Sequence, residues 1–302
     1  MAPSEPAPAH EALPDPALAH EAPLGAAELG DAAALVAEAG WNQTAADWRI
    51  FLELGAVRAV RNSAGKVIAT AATLSYGGQF GWISMVLVAG SYRRQGLARR
   101  LMHRCIEDLT AAGVVPVLDA TPAGRTVYVA LGFEDAWGYQ RLVGRGTSRK
   151  RDLPPLPDGV RIQEIDDAIW DDLTRYDAMV FGADRSRVLA RLRGRVPGAD
   201  LVALRQDLVC GFLLGRDGRT TTQLGPLVAE DSAVAQALLA RGLDAIDGPV
   251  YIDLADDKAP VRAWLDELGF TAQRPLTRML LRRSASFEDA ARTFAVAGPE
   301  LG

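Results

Sequence analysis

Two triplets recur along the chain in the same order and at nearly the same separation, and this repetition constrains the fold more than any single stretch. Leu87-Val88-Ala89 precedes Leu131-Gly132-Phe133 by 44 positions, and Leu227-Val228-Ala229 precedes Leu268-Gly269-Phe270 by 41. A helical and a strand-like segment lie between the triplets in both copies. Within them, Pro116-Val117-Leu118-Asp119 corresponds to Pro249-Val250-Tyr251-Ile252-Asp253. A period this long is that of a whole folding unit, so the chain reads as two copies of one fold.

The first copy shows what that unit is. Apolar spacing predicts an amphipathic helix over 26–39, stopped by Gly40, and a second over 44–54 with Thr44 or Asn42 as its N-cap. Strands follow at 56–61, 67–75 and 80–88, joined by turns at Asn62-Ser63-Ala64-Gly65 and Tyr76-Gly77-Gly78, as in an antiparallel meander. Leu97, Leu101, Cys105, Ile106 and Leu109 recur at helical spacing, giving a helix over 96–111 that Gly113 ends. A strand at 114–119, a helix at 123–131 and a closing strand at 133–143 complete the unit. The fold class is therefore α/β, a mixed sheet with helices crossing over it.

The expected organisation is a disordered leader over 1–24, a first domain over 25–143, a linker over 144–159, a second domain over 160–283 and a tail over 284–302. Thirteen of the first 23 residues are Pro or Ala, which argues for disorder there. Three Gly, three Pro and the basic run Arg149-Lys150-Arg151 mark the linker.

Composition removes several classes. With 302 residues, 49% apolar and 24% charged, the chain can build two ordinary cores. A net charge of −5 argues against general nucleic-acid binding, which needs surplus positive charge. No long apolar run or basic-headed leader is apparent, so a cytoplasmic protein with no membrane partner, monomeric or homodimeric, is expected. Cys105 and Cys210 have no ligand spacing, and the expectation is buried thiols and no metal.

Function is most legible between Trp82 and Ala98. A strand runs into a turn, and the turn opens a helix, where free N–H groups and the helix dipole hold an anion without any side chain. Gly96 allows close approach to the backbone, and Ala98 leaves that approach open. Five arginines, Arg93, Arg94, Arg99, Arg100 and Arg104, and no acid lie between 93 and 104. The turn has neither the Lys-Ser/Thr pair of a P-loop nor the three-glycine dinucleotide pattern.

It resembles instead the pyrophosphate loop of the GNAT N-acetyltransferase superfamily: Arg or Gln, two residues, Gly, one residue, Gly or Ala, matched by Arg93, Gly96 and Ala98. A second segment supports the resemblance, since Leu118–Ala123 leads into a helix ending in Tyr128-x-x-Leu131-Gly132-Phe133, as that family's last motif does. Thr121 departs from the pattern, standing where many members carry Asn, and leaves one coenzyme A contact open.

The resemblance, covering about residues 26–143, implies acetyl-CoA as donor and an amine as acceptor. It places the pantetheine arm along Val86, Leu87 and Val88, and the pyrophosphate on Arg93, Arg94, Gln95, Gly96, Leu97 and Ala98. It makes Tyr128 the general acid, a phenol that stays protonated at neutral pH. Asp119, ending its strand, is the candidate base, with a turn or cap role as the alternative. Trp41 and Asn42 occupy the place where such proteins line the acceptor cleft, and are equally readable as part of a packed helical cap. No Cys/His or Ser/His arrangement points to a covalent intermediate, so direct transfer in a ternary complex is expected.

The second copy departs at the decisive places. Asp231-Ser232-Ala233-Val234-Ala235-Gln236 brings an acid and no glycine where the first copy has its basic turn, and Leu265 falls opposite Tyr128. One donor site per chain follows, with the second copy shaping the acceptor pocket. In Phe181-Gly182-Ala183-Asp184-Arg185, Asp184 is a candidate for a substrate ammonium or for a cap. The expected acceptor is a small-molecule amine; a protein N-terminus or lysine, or a non-catalytic acyl-CoA sensor, are the alternatives.

Overall fold

A computed structural model describes residues 20–146 and 153–302. Its first half runs β1 (His20–Pro23), α1 (Leu29–Glu38), α2 (Ala45–Leu54), β2 (Ala56–Arg61), β3 (Val67–Tyr76), β4 (Phe80–Val88), α3 (Leu97–Ala111), β5 (Val115–Ala120), α4 (Pro122–Ala130) and β6 (Phe133–Gly146). The second half repeats that order as β7 (Val160–Glu164), α5 (Asp167–Phe181), α6 (Ser186–Leu192), β8 (Leu201–Arg205), β9 (Leu208–Arg216), β10 (Thr222–Ala229), α7 (Ser232–Asp244), β11 (Gly248–Ala255), α8 (Ala259–Glu267) and β12 (Thr271–Leu281). One further strand, β13 (Thr293–Ala295), has no counterpart in the first half. The repeat read from the two triplets thus spans the fold from its first strand.

All strands form one mixed sheet, ordered β1-β2-β3-β4-β5-β12-β6-β11-β13-β10-β9-β8-β7. The closing strands are exchanged: β12 of the second half lies against β5 of the first, β6 lies against β11, and β6 and β12 pair antiparallel at the centre. Cutting the chain near 144–159 leaves each half's penultimate strand without its neighbour. Among the described residues no helix is long and apolar enough to cross a membrane.

Three segments differ from expectation. His20–Pro23, inside the expected leader, pairs antiparallel with β2, and Glu21 reaches Arg58 and Arg100 at 3.3 Å each. Its Pro/Ala-rich surroundings conceal it, because an edge strand needs only half its backbone groups. β6 continues to Gly146, into the expected linker; residues 1–19 and the basic run at 149–151 lie outside the described residues. The expected tail contributes β13 and buries Phe294, Val296 and Leu301.

The two halves share core as well as sheet. Phe181 packs among Tyr76, Phe80 and Trp82 of the first half, with ring centroids 5.0–6.1 Å apart. The Tyr76 hydroxyl donates to the Leu301 carbonyl at 2.7 Å, and Arg185 lies over the Phe181 ring while pairing with Asp177 and donating to the Gly302 carbonyl. At the other end of this seam Asp47 of α2 takes both Arg195 and Arg216 at 2.6 Å, and also completes the capping box with Thr44. A buried carboxylate holding two guanidiniums is costly to desolvate, and its hydrogen bonds make it tolerable.

Candidate active site

β4 and β5 run parallel for only three pairs, Phe80–Trp82 against Val115–Val117, and then splay. β5 turns to β12, so the side of β4 beyond Trp82 has no ladder partner among the described residues. Within this free stretch Met85 takes a left-handed φ of 51°. Met85 and Val86 together oppose Ala71, a bulge that re-aims the backbone, and Thr70 Oγ1 fastens it by donating to the Met85 carbonyl at 2.9 Å. An extended ligand segment laid into the opening would run along the edge of β4 that faces away from β3, at Val86, Leu87 and Val88.

At the end of β4 the chain enters the basic turn. Arg94 (φ 62°) and Gly96 (φ 81°) are both left-handed, and the first bond within α3 comes from the Arg100 N–H to the Gly96 carbonyl. The N–H groups of Leu97, Ala98 and Arg99 therefore have no helical partner. A Cβ built on Gly96 meets nothing within 4 Å, so the approach to these N–H groups is open. Arg93 is drawn back, its Nε donating to the Val88 carbonyl at 3.1 Å, while Arg94 is exposed and Gln95 Nε2 reaches the Ser91 carbonyl. What this turn could offer an anion is thus mainly backbone N–H groups.

The splay opens into a cleft of about 440 Å³. Tyr128 lines it, on a helix that Thr121 caps by accepting from the Gly124 N–H at 3.2 Å. That cap uses one lone pair of the Thr121 hydroxyl. Burial raises the Tyr128 phenol above its ordinary value, and its ring edge rests on Phe133 at 6.1 Å. Trp41 and Asn42 also line the cleft, but Asn42 is spent on structure: its side chain takes the Thr220 and Thr221 N–H groups and donates to the Thr221 carbonyl at 2.7 Å.

Two expected residues are held in structural contacts. Asp119 has a fully buried side chain that grips Arg278 through two bonds of 2.9 Å, and Arg278 also pairs with Glu288 between the faces of Trp82 and Trp137. Burial is the largest influence on the Asp119 carboxyl and raises it, with Arg278 opposing. Held in this way it ties the halves together, at a position that also lines the cleft. Asp184 is exposed and accepts from the Ser186 N–H at 2.8 Å in the turn that leads into α6, a bond that lowers its carboxyl. It does not line the cleft.

Sequence reasoning missed Gln43, Ser84, Arg141, Tyr251, Arg274 and Glu300, all of which line the cleft. The last four come from the closing strands, β11 and the C-terminal segment, which only the strand exchange brings here. Gln43 alone carried a local signal, its adjacency to Trp41-Asn42.

The second half has the same opening, but its own chain fills it. β10 and β11 pair in parallel over Thr222–Leu224 and then part around β13, where Ala295 faces Leu227 on one side and Leu254 on the other. Asp231 caps α7 by accepting from the Val234 N–H at 2.8 Å, occupying the place of the basic turn, and Leu265 is fully buried. Both cysteines are buried, which pushes the Cys105 thiol up to about 12 and Cys210 up to about 11, so neither is a nucleophile at neutral pH.

Comparison with known proteins bears on both halves. The model of the acetyltransferase (GNAT) family matches residues 33–133, and that of an acetyltransferase (GNAT) domain matches residues 173–295. A Bacillus subtilis (strain 168) protein described as the uncharacterized N-acetyltransferase YitH is 25% identical over 240 residues, spanning 78% of this chain and 82% of its own. The crystal structure of a putative acetyltransferase from Pyrococcus horikoshii superposes with a TM-score of 0.76 at 20% identity, over 97% of this chain and 99% of that one. A tandem GNAT protein from the clavulanic acid biosynthesis pathway gives a TM-score of 0.66 at 15% identity, over 87% and 98%. At these identities the two structures speak for the fold.

Proposed function

The chain belongs to the GNAT acetyltransferase family, is an acyltransferase with two such domains in tandem, and from that premise we propose that its first half moves an acetyl or other small acyl group from coenzyme A to the amine of a small molecule. The observation that carries this reading is the coincidence of three features in one opening: the unpaired edge of β4, the open turn at Gly96 and the Tyr128 phenol. The thioester supplies an acyl carbon already activated toward an amine.

The chain's own groups do the rest. Backbone N–H groups beyond the Met85 bulge stabilise the oxygen on which charge builds, where a preorganised donor is worth most. N–H groups of the turn and the start of α3, with Arg94, hold the pyrophosphate. Tyr128, kept protonated by burial, delivers a proton to the sulfur as the carbon–sulfur bond breaks, and the proton that the attacking nitrogen sheds on forming the amide passes to solvent, from which the phenol is reprotonated. Among the described residues no cysteine lines the cleft and no base is hydrogen-bonded to the Ser84 hydroxyl there, which favours attack by the amine itself in a ternary complex.

Residues of the second half, among them Tyr251 and Arg274, roof the cleft, and its 440 Å³ suits a metabolite better than a polypeptide segment. In the second half β13 fills the equivalent opening, which supports one donor site per chain. The test is amine-dependent thiol release from acetyl-CoA by the wild type and Tyr128→Phe. We expect intersecting initial-rate patterns and a loss of 10²-fold or more in kcat for the variant, on the order of a general acid's contribution. Parallel patterns, or an unchanged kcat in Tyr128→Phe, would contradict the proposed route.

A further inference from the structure

The acceptor end of the cleft contains polar atoms that the protein itself leaves unmatched. Ser84 Oγ, Gln43 Oε1 and Glu300 Oε2 are buried without a hydrogen-bond partner, in residues only 8%, 8% and 3% exposed. Glu300 is held by its other oxygen, which accepts from Arg216. Arg274 Nε is likewise buried and unpartnered. Cross-strand register sets Arg274 beside Arg141, a second guanidinium, and the nearest acid in that row, Asp253, is already taken by Arg141 through bonds of 2.8 and 2.7 Å and by Gln223 at 3.1 Å. Among the described residues no carboxylate pairs with Arg274. The cleft thus presents one uncompensated guanidinium and, from Glu300, a free carboxylate oxygen.

Resting on the acyltransferase reading, we propose that the acceptor is an amine that also carries a carboxylate, as an amino acid does. Arg274 receives the carboxylate, for which the planar fork of a guanidinium is the natural partner. Glu300 Oε2 and Ser84 Oγ receive the amino group, and Ser84 adjoins the Met85 bulge where the acyl carbon is attacked. Each unmatched atom then acquires a partner of the right polarity. A plain amine leaves Arg274 without a partner, and a site with a buried polar group left unpaired discriminates strongly against such an analogue.

The experiment measures thiol release from acetyl-CoA with a panel of α-, β- and γ-amino acids, their methyl esters and the matching decarboxylated amines, alongside calorimetric binding of acetyl-CoA. We expect turnover confined to carboxylate-bearing amines, with esters at least tenfold poorer in kcat/KM. Arg274→Met raises KM for the amino acid at least tenfold with the acetyl-CoA Kd unchanged, and Arg274→Lys restores part of the loss. Equal or better turnover of esters or plain amines overturns the proposal, as does an Arg274→Met enzyme with unaltered acceptor KM, or the absence of turnover with every carboxylate-bearing amine. Failure of acetyl-CoA itself to bind instead defeats the acyltransferase reading on which the proposal rests.

Discussion

Replacing Asp119 with Ala separates a structural ion pair from a catalytic base. In the wild type the Arg278 guanidinium is 1% exposed, donates two bonds to Asp119 and one to Glu288, and is covered by Trp82 at 4.4 Å and Trp137 at 4.5 Å. Removing one partner of a buried pair costs about 3–5 kcal/mol because the other charge stays buried. Glu288 and the two indole faces still compensate the guanidinium in Asp119→Ala, so the lower end applies, about 3 kcal/mol. For a chain of this size that corresponds to a fall in Tm of roughly 6–12 °C. Differential scanning calorimetry reads the stability, and kcat against pH, measured well below the variant's Tm, reads the chemistry. A structural Asp119 leaves kcat within about tenfold of wild type and the pH profile unshifted. A base loses about 10²–10⁴-fold and takes the acidic limb with it, so that result at undiminished Tm would refute the reasoning.

Because burial raises the Tyr128 phenol above 10, its loss of a proton lies beyond the usual working range. The kcat profile should therefore show no descending alkaline limb below about pH 10, and one centred near 8 would rule Tyr128 out as the acid. Arg216 and Arg195 hold the Asp47 carboxyl below its ordinary value against the opposing effect of burial. Its contribution to stability is present above the unfolded value near 4 and is lost as pH falls through the lower folded value. Urea unfolding at pH 7 and pH 3 should show a smaller acid loss for Asp47→Asn than for wild type, and equal losses would remove Asp47 from the account. Ala295→Asp places a charge in the apolar cluster between β10 and β11, and should yield insoluble or unfolded protein rather than a second coenzyme A site.

Local signals carried the individual units of the fold and the donor side of the site. The meander, the helix beginning at Gly96, the cap at Thr44 and the phenol at Tyr128 all depend on residues within a turn or two of one another. Both triplets disclosed the duplication. What the sequence concealed is non-local. Nothing in 271–281 distinguishes a strand that closes its own half from one that crosses to the other, because β6 and β12 have similar lengths and similar apolar content. Arg274 and Glu300 carry no motif, and they reach the cleft only through that crossing and through the segment after β13. Asp119 and Asp184 looked alike as strand-end and loop acids; their partners Arg278 and Ser186 lie 159 and two residues away, so only the fold distinguishes a seam from a cap.

The central claim is a single donor site, in the first half, built on the turn at Gly96. Isothermal titration of acetyl-CoA into the wild type and Gly96→Glu tests it most directly. The new side chain meets no atom within 4 Å at its Cβ, so the variant folds at a cost of about 1–2 kcal/mol for its left-handed backbone, and its carboxylate stands where the pyrophosphate is held. The account predicts one equivalent bound by the wild type and none by Gly96→Glu; no binding by the wild type, or two equivalents, would contradict it.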